Sequence, residues 1–398
     1  MLKDLRILDF SRVMSGPYCT AMLADLGAQV IKVEEPGAGD ISRHVAPYIE
    51  DVSSYFALLN RGKCSIALDL KDPRAVALAV DLARHCDVLV ENFRPGVMER
   101  LGLGYSAISK VNPRLVYASI SGFGQDGPFA RWPAYDLVVQ AMSGLMSMTG
   151  ERDGRSTAVG ESVADIFTGT FASWGILAAL HERDRSGRGR QVDVAMLDCM
   201  FSMLVTPMSR MLATGEEPAR IGNRHPETYP CDSFSAQGGD IVLVCLGDRA
   251  FHDLARAMGR PDLIDDPRFR TNPDRNIHEK ELRTIIGDWC AARPREAALE
   301  ALRAAGVPCA PVWGLREMTD SEHVRHRGLL KKHVQDGGGP ATFVSQPVRF
   351  SDTGVPDPKR APRLGEHTEE ILQTLLGLDE KTIESLRAAN VIAGSKSP

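Results

Sequence analysis

Residues 6–33 read RILDFSRVMSGPYCTAMLADLGAQVIKV, and their pattern decides the fold class. Arg6–Phe10 is an apolar run of strand length. Ser15-Gly16-Pro17 opens a helix over Tyr18–Leu26, which Gly27 closes, and Ala28–Val33 is a second apolar run. Strand, glycine turn, helix and strand make a βαβ unit. The same units recur downstream. Ser65–Leu70 (SIALDL) is a strand, and Pro73 starts an apolar-periodic helix to His85. Asp87–Glu91 (DVLVE) precedes the turn Asn92–Gly96 and another helix, and Leu115–Ile120 (LVYASI) is one more strand. Strands alternating with helices of this length predict an α/β fold, a parallel sheet wound with helices. Ligands of such sheets bind beyond the carboxyl ends of the strands. Val13–Gly16, Lys71, Asn92–Arg94 and Ser121–Gly127 are therefore candidate site loops.

Beyond the basic turn Ser186–Arg190 come a strand, QVDVAM, and a helix from Leu197 to about Ala213. Gly215–Pro230 is rich in Gly, Pro and charge and reads as a linker. A smaller unit follows, with strand Asp240–Leu246, helices near Arg249–Met258, Asn276–Ala291 and Pro294–Ala304, and a closing strand Val307–Val312. Glycines 337–339 mark a further loop, and the tail from Leu364 reads as helical. A chain of 398 residues has room for more than one domain. Its net charge of −5 is interspersed, which argues against nucleic acid or a membrane surface as the main partner. Met1–Val13 carries Asp4 and Asp9 and no continuous apolar core, so it does not read as a signal peptide. The most apolar stretch, near Phe167–Leu180, is shorter than a membrane span. The eight cysteines form no CxxC pair and no zinc spacing, so free thiols in a reducing cytoplasm are expected.

Asp165 is the candidate for chemistry. It lies in the first turn of a helix that continues as IFTGTFASWGILAALHE, and Ser162–Asp165 fits the S-x-x-D pattern that opens helices. On that pattern it caps the helix; an ionised carboxylate at a helix N-terminus is also a nucleophile. Gly122–Gly127 matches G-x-G-x-x-G, but Pro128 and Pro133 follow where a dinucleotide site needs a helix, so a turn is expected. His323, His326 and His333 lie in a strongly basic segment and lack the further ligands of a metal site. Cys199 sits within an apolar helix, as a packed thiol does. G-x-S-x-G, H-E-x-x-H and the P-loop pattern are absent from the sequence.

Several stretches together resemble the class III CoA-transferases, relatives of formyl-CoA and carnitine CoA-transferases. They include ILDFSRVMSGPYCTAMLADLGAQVIKVEEPGAGD, YFALLNRGKCSIALDLK, VLVENFRPGVMERLGLGY, NPRLVYASISGFGQDGPF, AYDLVVQAMSGLMSMTG, SVADIFTG and SGRGRQVDVAMLD. GNRHP, GVPCAPV and APRLGEHTEEIL continue the match, so it spans nearly the whole chain. The resemblance is greatest to the branch that moves CoA between succinate and other short dicarboxylic acids. It implies a large Rossmann-like parallel-sheet domain built from both termini (residues 1–214 and 316–398), a smaller α+β domain (215–315), and two subunits interlocked as a homodimer. No cofactor is implied, since CoA and acyl-CoA are substrates.

By the same resemblance Asp165 falls at the family's nucleophilic aspartate. Val13 and Met14 match the first CoA-contacting loop. Leu68, Asp69, Leu70 and Lys71, then Asn92, Phe93 and Arg94, and Arg100 match segments that hold the nucleotide and pantetheine. Pro133, Ala134, Tyr135 and Asp136 match a segment beside the thioester. Glu35 stands where the formyl branch has an adenine-contacting Arg, which leaves adenine or the 3′-phosphate to Lys71, Arg94 and Arg100. GNRHPETYP (Gly222–Pro230) replaces the formyl branch's glycine-rich lid and argues against oxalate or formate. The implied donor is succinyl-CoA, and itaconate, mesaconate, citramalate, malate and glutarate are the implied acceptors. A second carboxylate needs a cation, for which Arg43, His44, Arg224 and His225 are candidates. Racemases of the superfamily carry a His–Asp motif where this chain has Ala134-Tyr135-Asp136, and no His lies between Arg131 and Asp165. A CoA-binding protein without activity is the remaining alternative.

Overall fold

The computed structural model describes residues 1–49, 51–334, 340–352, 357 and 359–394; the loop expected at glycines 337–339 lies outside them. The chain divides into two compact units. The first comprises Met1–Leu145, Ala158–Ser209 and Glu322–Pro398, and the second Met146–Thr157 and Arg210–Ser321.

The first unit is built on a seven-stranded sheet. Across it run Ile392–Ala393, Cys64–Leu68, Gln29–Glu34, Arg6–Asp9, Val88–Glu91, Val116–Ser121 and Gln191–Ala195. All neighbours pair in parallel except Ile392–Ala393, which pairs antiparallel with Cys64–Leu68. Numbered along the chain, the six parallel strands take the order 3-2-1-4-5-6, which is that of dinucleotide-binding folds. The order reverses between Arg6–Asp9 and Val88–Glu91, where Ile7 pairs with Val88 and Leu8 with Leu89.

Both faces of this sheet are covered, so its strands read as continuous apolar runs. The period of two sends alternate residues to opposite cores. Leu8 and Phe10, with Ile31, Ile66 and Leu89, pack on helix Pro73–Arg84 through Ala75, Leu78 and Leu82. Ile7, with Val30, Val88, Val90 and Val116, packs on Cys19 and Leu23 of helix Ser15–Asp25 and on Ala172 and Ile176 of helix Val163–Ser186.

Three elements differ from expectation. Helix Val163–Ser186 has 24 residues and is long and apolar enough to cross a membrane by length and composition alone; the apolar stretch near Phe167–Leu180 is only its middle. Ala172, Ile176, Ala179 and Leu180 bury one face of it in the core. The helix expected from Leu197 to Ala213 is two, Met196–Met203 and Val205–Thr214. Pro207 explains the break, because it has no N–H and its ring collides with the carbonyl four residues back, so it is tolerated only in a first turn. The tail holds helices Thr368–Leu376 and Glu380–Ala388 but ends in strand Ile392–Ala393. Gly122–Gly127 forms turns, as expected, with Gly124 N–H on Ser121 Oγ and Gln125 N–H on Asp193 Oδ2.

The second unit is α+β. Its antiparallel sheet runs Cys309–Pro311, Gly239–Val244 and Cys231–Ala236, and Ile241, Leu243 and Phe234 pack on Phe251, Leu254, Ile286 and Leu299 from its helices. The boundaries expected after 214 and 315 stand at 209 and 321, and Met146–Thr157 groups here. That segment is held by Gly222 N–H on the Gly150 carbonyl, Arg220 Nη1 on the Ser147 carbonyl, and the Arg152–Glu279 ion pair.

Candidate active site

The carboxyl ends of the parallel strands lie along one edge of the sheet, and two cavities open there. The larger, about 390 Å³, is lined by Arg12, Val13, Met14, Ser15, Asn92, Arg94, Ala134, Tyr135 and Asp165 among others. The smaller, about 190 Å³, is lined by Lys32, Glu35, Asp40, Leu68, Asp69, Leu70 and Lys71 among others. Arg12 and Phe93 line both, with the guanidinium 4.5 Å from the centre of the Phe93 ring. Both residues follow strands on either side of the order reversal, where ligands of such sheets bind.

Asp165 reaches the larger cavity because two helices touch without a side chain between them. A Cβ built on Gly169 would lie 2.6 Å from the Ser15 carbonyl oxygen. Glycine there lets helix Val163–Ser186 close on the start of helix Ser15–Asp25 and brings Asp165, one turn earlier, beside Ser15. The S-x-x-D pattern does not act as expected: Ser162 makes no side-chain cap bond. Asp136 caps the helix instead, its Oδ1 accepting from Ala164 N–H at 2.7 Å and Asp165 N–H at 3.4 Å. Its Oδ2 takes Gln140 Nε2 at 2.6 Å, and Gln140 Oε1 takes Val159 N–H at 2.9 Å. The side chain of Asp165 is therefore left to the cavity. Burial first, then the neighbouring Asp136, push its pKa up to about 6, against hydrogen bonds from Ser15.

The remaining expected residues divide by cavity. Val13, Met14, Asn92, Arg94, Ala134 and Tyr135 line the larger one, Leu68–Lys71 the smaller, and Phe93 both. Arg100, Pro133 and Asp136 line neither; Arg94 and Arg100 are exposed, with no carboxylate partner among the described residues. Lys71 pairs with Glu35 at 2.7 Å, but their side chains are 81% and 51% exposed. Such a solvent-screened pair contributes little and yields readily to a ligand. Asn92 holds the loop in front of it, accepting from Arg12 N–H at 2.8 Å and donating to the Arg12 carbonyl at 2.7 Å.

Arg43, His44, Arg224 and His225 line neither cavity. Arg43 forks onto Glu34 with two 2.7 Å bonds and stacks on Phe56. His44 Nε2 meets the Ala38 carbonyl at 2.8 Å. Arg224 and His225 belong to the second unit; Arg224 pairs with Glu279 at 3.1 Å, and His225 Nδ1 accepts from Glu227 N–H. Arg12, Trp132 and Met196 are cavity residues that sequence reading missed, whereas Ser15 lies in the site loop expected at Val13–Gly16. The signal for Arg12 was its place beside Val13 and Met14 after a strand.

A family model described as CoA-transferase family III matches residues 2–368. An acetyl-CoA:oxalate CoA-transferase from Acetobacter aceti is 43% identical over 91% of this chain and 92% of its own. A succinyl-CoA:mesaconate CoA-transferase from Haloarcula hispanica is 40% identical over 96% of this chain and 99% of its own. A succinyl-CoA:glutarate CoA-transferase from Mus musculus is 38% identical over 98% and 90%. The crystal structure of a CAIB/BAIF family protein from Brucella suis superposes with a TM-score of 0.84 at 35% identity, covering 94% of this chain and 99% of that one.

Proposed function

The chain belongs to CoA-transferase family III, and from that premise we propose that it moves CoA from an acyl-CoA donor, succinyl-CoA foremost, to a short dicarboxylic acid through covalent catalysis on Asp165. The observation that carries this reading is Asp165 itself: a carboxylate relieved of helix capping by Asp136 and facing a cavity at the sheet's carboxyl edge. The acceptor class is supported by the relatives, whose names give oxalate, mesaconate and glutarate, all dicarboxylic acids. Among the described residues no histidine lines either cavity, which leaves α-proton exchange without the His of an acid–base pair.

The ionised Asp165 attacks the thioester carbonyl; a C–O bond forms, the C–S bond breaks, and CoA leaves as thiolate with an aspartyl–acyl anhydride behind it. The thiolate attacks the aspartyl carbonyl and expels the donor acid as carboxylate, giving an enzyme–CoA thioester. The acceptor carboxylate then attacks that thioester, and the thiolate takes the acceptor acyl group from the second anhydride and frees Asp165. Splitting the exchange this way gives each weak nucleophile an activated partner, and water must be kept out of both intermediates. Ser15 N–H, at a helix N-terminus beside Asp165, is the donor we assign to the oxyanions; losing one such donor costs about 3 kcal/mol of barrier. The protein acts as a homodimer in this reading. Support comes from an apolar stripe left uncovered on Phe167, Trp174 and Leu177, with Phe201 and Val205 also exposed.

Intact mass spectrometry after mixing with succinyl-CoA or acetyl-CoA tests the mechanism. Wild type is expected to gain one covalent CoA and Asp165→Ala none; an adduct on the variant would refute the assignment. Discharge of the adduct by oxalate, mesaconate, itaconate, citramalate, malate or glutarate then identifies the acceptor. Oxalate belongs in that panel because the Acetobacter aceti relative is named for it.

A further inference from the structure

The loop between strand Arg6–Asp9 and helix Ser15–Asp25 contains a residue that should not be there on steric grounds. Val13 has φ of 68°, in the left-handed region where a β-branched side chain is an outlier. Such a conformation persists only when its surroundings over-determine it, and it gathers at functional sites. Here the surroundings grip one backbone group after another. Asp9 Oδ1 accepts Ser11 N–H at 2.9 Å, and Lys32 Nζ donates to the Ser11 carbonyl at 2.7 Å. Asn92 holds both backbone groups of Arg12. Asp40 Oδ1 accepts from the N–H of Val13 itself at 3.2 Å.

Asp40 is built to be immobile. Its Oδ2 lies 2.9 Å from Lys32 Nζ, and both side chains are fully buried. Its own N–H donates to Glu34 Oε2 at 3.1 Å, and Glu34 is fixed by the Arg43 fork and by Ser65 Oγ at 2.6 Å. Gly39, with φ of 65°, makes the turn; a Cβ there would stand 3.1 Å from Glu34 Oε2. Lys32 and Asp40 line the smaller cavity, whereas Val13 and Ser15 line the larger one with Asp165. A buried ion pair is weak evidence for stability in its own right. This one is placed where its carboxylate reaches a strained residue two positions before Ser15.

We infer that Asp40 is a positioning residue for the covalent step: by accepting the Val13 N–H it holds the left-handed turn that sets Ser15 against Asp165. The inference rests on the reading of Asp165 as nucleophile. Its test is a rescue. The Lys32→Met/Asp40→Ala pair removes the acceptor without stranding a buried ammonium, and Val13→Gly added to it supplies a residue that adopts positive φ without a Cβ penalty. The rate of CoA adduct formation at saturating succinyl-CoA is followed by intact mass, with donor KM alongside. The paired variant is expected to react about 100-fold more slowly, the scale of a small misplacement of reacting groups, with KM little changed. Adding Val13→Gly should recover about 10-fold, since relief of backbone strain of this kind is on that order. A paired variant as fast as wild type, or no recovery on adding Val13→Gly, overturns the inference. Asp40→Asn is the second arm in case the pair does not fold. It keeps an oxygen for Val13 N–H but loses the charge, so it should lower the melting temperature and keep the rate within a few-fold; a 100-fold loss would point to the ion pair and not to the turn. A wild type that forms no adduct with any acyl-CoA would sink the reading of Asp165 and this inference with it.

Discussion

Two carboxylates meet at the start of helix Val163–Ser186 with different tasks. Asp136 takes the helix N–H groups, and Asp165 is pushed up to about 6 by burial and by the charge of Asp136. An aspartate whose pKa is higher in the folded chain than in the unfolded one binds its proton more tightly when folded. The stability this lends is present at low pH and lost as pH rises from about 4 to about 6. Asp165→Asn should therefore raise the melting temperature near pH 8 and change it little near pH 4, which scanning calorimetry will show. Catalysis has the opposite sign, because attack needs the ionised form, and adduct formation should fall as pH drops through about 6. Asp136→Asn, which keeps a capping oxygen and removes the like charge, should move that midpoint to lower pH; a stationary midpoint would show that Asp165 does not feel Asp136. Asp165 was legible in the sequence as a carboxylate in a helix's first turn. Its cap was not, because Asp136 stands 28 residues from Ala164, and a short pattern such as S-x-x-D describes only local bonds.

Helix Val163–Ser186 and helix Ser15–Asp25 are joined at Gly169, and the pocket depends on how closely they approach. Gly169→Ala would place a methyl group 2.6 Å from the Ser15 carbonyl oxygen. That is overpacking against backbone, so a loss of about 1–3 kcal/mol is expected in denaturant unfolding, together with slower adduct formation as Ser15 is displaced. Unchanged stability would mean that the helices separate at no cost. The parallel strands were legible because both faces are buried and each reads as an apolar run, and helices Ser15–Asp25 and Pro73–Arg84 between them open with Ser and Pro. Gly169 was not legible, since a glycine inside a helix reads only as a propensity penalty until its neighbour is known. Strand Ile392–Ala393 is two residues long and has no periodicity to read.

For the whole molecule, the exposed stripe of Phe167, Trp174 and Leu177 is the test of assembly. Trp174 is 68% exposed on a helix that buries its opposite face in the core, and exposed apolar patches of this kind mark interaction sites. Trp174→Asp should shift the sedimentation coefficient from dimer towards monomer, whereas a wild type that sediments as a monomer would refute the dimer. In the sequence the linker and the change in strand pattern are the signals that lie near the division into two units. The grouping of Met146–Thr157 with the second unit was not legible, because bonds such as Gly222 N–H to the Gly150 carbonyl join residues far apart in sequence. The strand that feeds Leu68–Lys71 into the smaller cavity raises a matter of timing. Ser65 N–H donates to His367 Nδ1, 302 residues downstream, Gly365 N–H donates to Ser65 Oγ, and Ile392 pairs with Leu68. At ribosomal speeds of about 5–20 residues per second that interval is roughly 15 to 60 s of translation. For that time the nascent chain carries Cys64–Leu68 as an open sheet edge, the kind of surface on which chains aggregate, and holdase chaperones would find their target there.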